Sequence, residues 1–451
     1  MVLSAVVTGA LLWWLLRISR TSINTEWFSV DYAADPIVQM LRDYVRIDTS
    51  PDGDEIAGAR YLAGLLAEAS IESTIEVVGE RKANLYAILE GRRREAIGLL
   101  SHIDTDPVPD PSAWAHPPFA ANIVGPRIFG RGTFDMKGVT ISQVVALREL
   151  AESGRTPDYS VILMATSSEE VGSELGSQWI VRAHPEIVER LSVVLTEGGV
   201  IEARTTEDIK YWGTEVAQKR YVDVWYCSSD KNRLDLLRNE IEELGDSESP
   251  RALAPEVAEF LSIYASSRDT GSYAELMENP QRVVDEVAQL RRLPGYARAM
   301  FVNQLAPFLV EESPEGGYRL LVKVHLLPGA ELEPVLDELL PPWLTFGLER
   351  VVGPDDTARH GSPVDHRAMR VIGEVLAEHY PDTPSGPFFL PLVATDSRFF
   401  RAVGVPSYGF SPFPTLSTET FQAGKVNERI VLPAFLDGVE IYAELLARLA
   451  G

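Results

Sequence analysis

Between residues 36 and 200, short apolar runs alternate with helix-like stretches, and this alternation limits the fold more than any other feature of the chain. NLYAILEG, IGLLSHID, VILMATSS and LSVVLTEGG read as buried strands. PIVQMLRDYVRI and GARYLAGLLAEAS read as amphipathic helices, and SQVVALRELAESG as a helix between strands. Strands that are apolar along their length belong to a sheet covered on both faces, so the pattern predicts an α/β fold with a mixed, mostly parallel sheet. From about 215 to 350 the character shifts. YVDVWYC, GYRLLVKVHLL and WLTFGLERVV look like strands with one open face, mixed with helical LDLLRNEIEELG, QRVVDEVAQLRR and LEPVLDELL. After 353 buried apolar runs return, ending in the helical FLDGVEIYAELLARL. The expected organisation is one large domain from 24–213 and 353–451, with 214–352 inserted as a smaller α+β domain. A chain of 451 residues is long enough for two cores.

The formal net charge is −25, from 41 Lys and Arg against 66 Asp and Glu. A phosphate backbone is repelled by that balance, so no nucleic-acid partner is expected. The single cysteine, Cys227, excludes an intramolecular disulfide framework and a cysteine-cluster metal site, leaving His, Asp and Glu to hold any metal. Residues 1–23 stand apart. Met1 to Leu16 carry no charge, Trp13 and Trp14 suit a membrane interface, and Arg17 and Arg20 follow. This favours a single-pass membrane anchor over a signal peptide or a helix packed on the protein itself, with membrane localisation. The two arginines weakly place the main domain on the cytoplasmic side.

Four segments set His and carboxylates at or near strand ends. In Ser101-His102-Ile103-Asp104, residues two apart share a strand face, so His102 can bind a metal while Asp104 orients its ring. Three glycines between Gly130 and Gly138 make an irregular loop that holds Asp135. Glu169 and Glu170 follow VILMATS, where adjacent carboxylates need a cation or a proton to coexist. Glu197, before Gly198 and Gly199, follows another apolar run. Each segment alone reads as an ordinary turn or loop. Together, three of them follow buried strands, and open α/β sheets bind ligands at the carboxyl ends of their strands. One histidine among carboxylates suits a hard or borderline dication, zinc best, and a glutamate that is not a ligand can serve as general base on water at the metal.

SHIDTDPVP, WAHPPF, FGRGTFDMKG, ATSSEEVGS and LTEGG, with ATDSRFF, GVPSYGFSP and VNERI later, make the chain resemble the zinc metallopeptidase and amidohydrolase family of aminoacylase, glutamate carboxypeptidase and succinyl-diaminopimelate desuccinylase. The resemblance implies a large zinc-hydrolase domain with an inserted, ferredoxin-like lid that often dimerises, making a homodimer one open assembly. It implies His102 and Glu197 as ligands of one zinc, Asp135 as a bridge between two, and Glu170 as a ligand of the second. Glu169 becomes general base and later general acid, and Asp104 orients His102. The reaction implied is hydrolysis of an amide bond in an N-acyl amino acid or short peptide, with one or two zinc ions and cobalt or manganese able to substitute.

The chain also departs from that family. Gly424 stands where a histidine ligand of the second zinc is expected, which points to a mono-zinc enzyme. His360 and His366 are the remaining replacements to consider, against a plain reading as surface or loop histidines. Cys227-Ser228-Ser229-Asp230 lacks the family's lid histidine, and His325 takes the place of a lid arginine that binds the substrate carboxylate. Two alternatives to a hydrolase therefore stay open: an inactive relative that binds a ligand in the same cleft, or a membrane-tethered interaction protein.

Overall fold

The computed structural model describes residues 25–203, 209–248, 251–266, 277, 279–355, 357–414 and 422–451. In chain order the strands are β1 (Ser73–Gly79), β2 (Lys82–Leu89), β3 (Arg93–His102), β4 (Asn122–Val124), β5 (Arg127–Phe129), β6 (Tyr159–Thr166), β7 (Leu191–Thr196) and β8 (Val200–Ala203). They continue with β9 (Ile209–Gln218), β10 (Arg220–Ser228), β11 (Gln304–Glu312), β12 (Tyr318–Leu326), β13 (Glu349–Val352), β14 (Ser385–Leu390), β15 (Ser407–Gly409) and β16 (Arg429–Val431).

The main sheet runs β1-β2-β6-β3-β7-β15-β9-β14, with β8 added on β9. Its centre is parallel: β3 pairs with β6 on one side and β7 on the other, and β7 pairs with β15. The flank β1-β2-β6 is antiparallel. Alternate residues of the central strands enter two different apolar clusters. Ile97, Leu99, Val161, Leu163, Val193 and Leu195 join the larger one. Ala96, Leu100, Ile162, Met164 and Val194 join the other. This is the two-faced burial that the apolar runs predict, and the α/β class holds.

Helices cover both faces. The helix Pro36–Val45 begins on Asp35, whose Oδ1 accepts the amides of Ile37 and Val38 at 2.8 and 3.1 Å, with Pro36 in the first turn. It buries Val38, Leu41, Tyr44 and Val45. With the helices Gly138–Glu152 and Leu432–Ala450 it packs into the larger cluster. Ile180, Ile187 and Phe400, from short helices, close the other face.

A second sheet, β11-β12-β10-β13, is antiparallel throughout. It has its own core, in which Val222, Val224, Leu320, Val322 and Val324 meet Leu234, Leu237 and Leu336 from two helices. The chain between these strands does not all stay with them. Val257, Phe260, Leu261, Leu290, Phe301 and Val302 belong to the large core, so residues inside the expected insertion complete the main unit.

The membrane expectation is corrected. Among the described residues no helix is long and apolar enough to cross a membrane. The apolar run 1–23 that carried the expectation lies outside them.

A buried ion pair ties the late part of the chain to the sheet. Arg401 donates to both oxygens of Glu215 at 2.7 Å and also to the carbonyl of Ser407. Glu215 is fully buried. Arg401→Met leaves that carboxylate without its cation and is expected to lower unfolding free energy by about 3–5 kcal/mol in urea titrations. A loss well under ~1 kcal/mol would show that the pair is dispensable.

Candidate metal centre

Because β6, β3 and β7 are adjacent and parallel, their carboxyl ends lie side by side. His102 closes β3, opposite Thr166 at the end of β6. Beyond Thr166 the chain turns through Ser168, in the left-handed region at φ 62°, into Glu169 and Glu170. Glu197 follows the last residue of β7. Asp135 comes from the loop between β5 and the helix Gly138–Glu152. The structure thus brings together His102, Asp135, Glu170 and Glu197, which sequence reasoning read as metal ligands, and Glu169, which it read as the general base. Ligand atoms of His102, Asp135 and Glu170 lie within 4.8 Å of one another, and so do those of His102, Glu169 and Glu197.

The imidazole of His102 is buried and its two nitrogens face different neighbours. Nε2 lies 3.2 Å from Asp135 Oδ1 and 3.7 Å from Glu197 Oε1. Nδ1 lies 2.9 Å from the main-chain carbonyl of Asp104 and 3.6 Å from its carboxylate. The carbonyl is therefore the nearer orienting group. The Asp104 carboxylate instead accepts the amides of Glu169 and Glu170, at 3.0 and 3.1 Å, and so sets the turn that carries both glutamates.

The Asp135 loop is held at both ends. Glu428, fully buried, accepts the amides of Gly132, Phe134 and Asp135 at 3.1, 2.9 and 3.0 Å and the guanidinium of Arg131 at 2.8 Å. It reaches the loop because β16 pairs with β5, placing Arg429 opposite Phe129. At the other end Lys137 is buried and donates to the carbonyls of Tyr44 and Ile47. Burial pushes its pKa down to about 7. Sequence reasoning passed over Arg131, Lys137 and Glu428 as site residues. Charged residues within and after glycine-rich stretches were the available signal.

The electrostatics are those of a cation site. Burial first, and the Asp135 charge second, push Glu170 up to about 10 and Glu197 up to about 7. Glu169 is raised well above the usual range by burial, then by Asp396 and Glu197. Burial opposes the charged form of His102, but the Glu197 charge and the bonds to Asp104 and Asp135 outweigh it and raise its pKa. So many carboxylates around one imidazole coexist only with protons or a dication among them. Oε1 of Glu170 is buried without a hydrogen-bond partner, which a metal would satisfy. The donor set, one nitrogen and several carboxylate oxygens, fits zinc or a neighbouring dication. Asp135 keeps 30% of its side-chain surface exposed and Glu197 19%, so the cluster opens outward.

The other histidines are engaged elsewhere. His360 is exposed beside Glu256. His366 caps the helix Arg367–His379 through Nδ1 and stacks on Tyr408. His325 packs on Tyr221, its rings 4.4 Å apart, and burial lowers its pKa to about 4.

The family described as Peptidase family M20/M25/M40 matches residues 98–448. A probable succinyl-diaminopimelate desuccinylase of Staphylococcus epidermidis is 35% identical over 141 residues, 31% of this chain and 34% of that protein. The match thus spans about a third of the relative's length. Among solved structures, an M20 family metallo-carboxypeptidase of Sulfolobus solfataricus superposes with a TM-score of 0.67 at 15% identity, covering 92% of this chain and 99% of that one. The di-peptidase Dug1p of Saccharomyces cerevisiae gives 0.65 at 11% identity, covering 96% and 97%. At these identities the superpositions show the fold.

Glu428→Gln keeps the volume but puts an amide NH2 where an oxygen accepts backbone N–H groups. It is expected to weaken zinc binding by about 10–100-fold in chelator-competition titrations, as loss of a group supporting a ligand does. Unchanged affinity would mean the loop holds Asp135 without it.

Proposed function

The chain belongs to peptidase family M20/M25/M40, and from that premise we propose that it is a metal-dependent hydrolase of amide bonds, acting on an N-acyl amino acid or a short peptide. The observation that carries this reading is the convergence of His102, Glu169, Glu170 and Glu197, from adjoining strand ends, with Asp135 from the loop before the helix Gly138–Glu152. In this reading His102, Asp135 and Glu197 would hold one ion, and Glu170 with Asp135 would serve a second. Zinc is the first candidate, with cobalt or manganese as substitutes. When bound, the metal supplies a Lewis acid that polarises the scissile carbonyl and makes water acidic enough to give up a proton.

The protein's own residues do the rest. Glu169 is assigned as the proton carrier: it takes a proton from the attacking water and returns it to the leaving nitrogen. Burial raises its proton affinity, so it accepts a proton more readily than an exposed carboxylate does. Asp104 is a positioning residue, since its carboxylate holds the amide of Glu169 while its carbonyl holds the His102 ring. Arg398 donates to the carbonyl of Thr395 at 3.0 Å, and its charge lowers the proton affinity of Glu169. The division 24–213, 214–352 and 353–451 is part of this proposal, supported by the separate sheet between Arg220 and Val352, while β9 up to Gln218 and the stretch holding Val257 to Val302 side with the large domain.

Glu169→Gln is expected to lower kcat by about 10²–10⁴-fold while metal content stays at the wild-type level. N-succinyl and N-acetyl amino acids and dipeptides form the panel, with elemental analysis beside the rate. Turnover preserved in that variant would remove Glu169 from the mechanism. A wild-type protein that binds metal but turns over none of the panel would favour the ligand-binding alternative.

A further inference from the structure

The geometry leaves one of the two metal groups short of a nitrogen ligand. Both groups share His102. Its Nδ1 is turned to the Asp104 carbonyl, so Nε2 is the one ring nitrogen facing the carboxylates. A single nitrogen serves a single ion. If His102 serves the ion beside Glu197, the ion beside Glu170 has Asp135 and Glu170 and needs another donor.

Asp106 is a carboxylate beside Glu170 that belongs to neither metal group. Its carboxyl group is within hydrogen-bonding reach of Glu170 and in the field of Asp135. Gly424, at φ +67°, faces it. A Cβ at position 424 would stand 2.5 Å from Asp106 Oδ2, closer than side chains pack. The absence of a side chain at 424 and the presence of a carboxylate at 106 are therefore two halves of one arrangement. Arg131 fixes it from behind. Its NH2 donates to the carbonyl of Pro107 at 3.1 Å, and its NH1 to Glu428 at 2.8 Å and to the carbonyl of Lys425 at 3.5 Å. The residue after Asp106 and the residue after Gly424 are thus tied to one guanidinium.

We propose that Asp106 is a ligand of the second metal ion, taking the space that Gly424 leaves open, and that this ion is held by the carboxylate oxygens of Asp106, Asp135 and Glu170. The inference rests on the metal-hydrolase reading above and gives the second position of that reading a third carboxylate donor, which makes the two ions unlike. An all-oxygen site selects harder ions than a site with an imidazole, so the Glu170 site favours Mn²⁺ and the His102 site Zn²⁺.

The test uses the full chain, stripped with chelator, given one equivalent of Zn²⁺ and titrated with Mn²⁺, free Mn²⁺ being read by electron paramagnetic resonance. The wild type is expected to bind one Mn²⁺ per chain and to keep its zinc. Asp106→Ala should weaken Mn²⁺ by at least the roughly 10–100-fold that loss of a supporting group costs, with zinc retained. Retained zinc also shows that the variant is folded. Asp106→Ala with Gly424→His should bind a second Zn²⁺ in preference to Mn²⁺, because a nitrogen donor returns to the vacated space. Equal Mn²⁺ affinity in the wild type and Asp106→Ala, or no Mn²⁺ binding by a wild type that holds its zinc, would overturn the assignment of Asp106 alone. A wild type that binds neither ion would overturn the metal-hydrolase reading together with it.

Discussion

Because β3 lies between β6 and β7 and runs parallel to both, the residues just beyond three strand ends must meet. Every other feature of the site follows from that shared direction. An antiparallel neighbour on either side of β3 would send its carboxyl end to the opposite edge and separate His102 from one of its carboxylates. The two-faced burial of these strands keeps their register, since a slip by one residue would exchange the sets of side chains that enter the two apolar clusters. The core thus protects the chemistry although it contributes no reacting group.

Bringing carboxylates this close costs free energy, and the molecule offsets it by fixing the backbone turns that carry Asp135, Glu169 and Glu170. The Asp104 carboxylate accepts two amides of the glutamate turn, and Glu428 accepts three amides of the Asp135 loop together with Arg131. The side chains of Glu169, Glu170 and Glu197 are left buried among other carboxylates, and burial first, with the charges of Asp135, Asp396 and their neighbours second, raises their proton affinities. A rigid frame around mutually repelling donors is pre-organised for a dication: the carboxylates cannot relax apart, so their repulsion is relieved by what binds between them.

The five residues nearest the cleft were legible in the sequence for a local reason. Each follows an apolar run or sits among glycines, and α/β sheets bind at strand ends. His102, Asp135, Glu169, Glu170 and Glu197 could therefore be named without knowing any contact. Arg131 sits among the same glycines, but neither it nor Glu428 carries a signal of their pairing. They are 297 positions apart, and nothing local in either segment reveals the partner. Asp106 is the sharper case. In the sequence it is one more acid after Asp104. Its meaning depends on facing Gly424, and only the folded chain sets those two against each other.

The sequence by itself determined the α/β class, the order of the buried strands, the second set of strands between 215 and 350, and the chemical type of the site, because these depend on periodicity and on residue type at strand ends. Tertiary structure decided which carboxylate has a partner and which lacks one. It showed that the Asp104 carbonyl is nearer than its carboxylate to the His102 ring. It also placed residues such as Phe260 and Phe301, from within the expected insertion, in the main core. These outcomes depend on distances between segments far apart in the chain. Such distances are set by the packing of whole elements, which no local pattern of residues encodes.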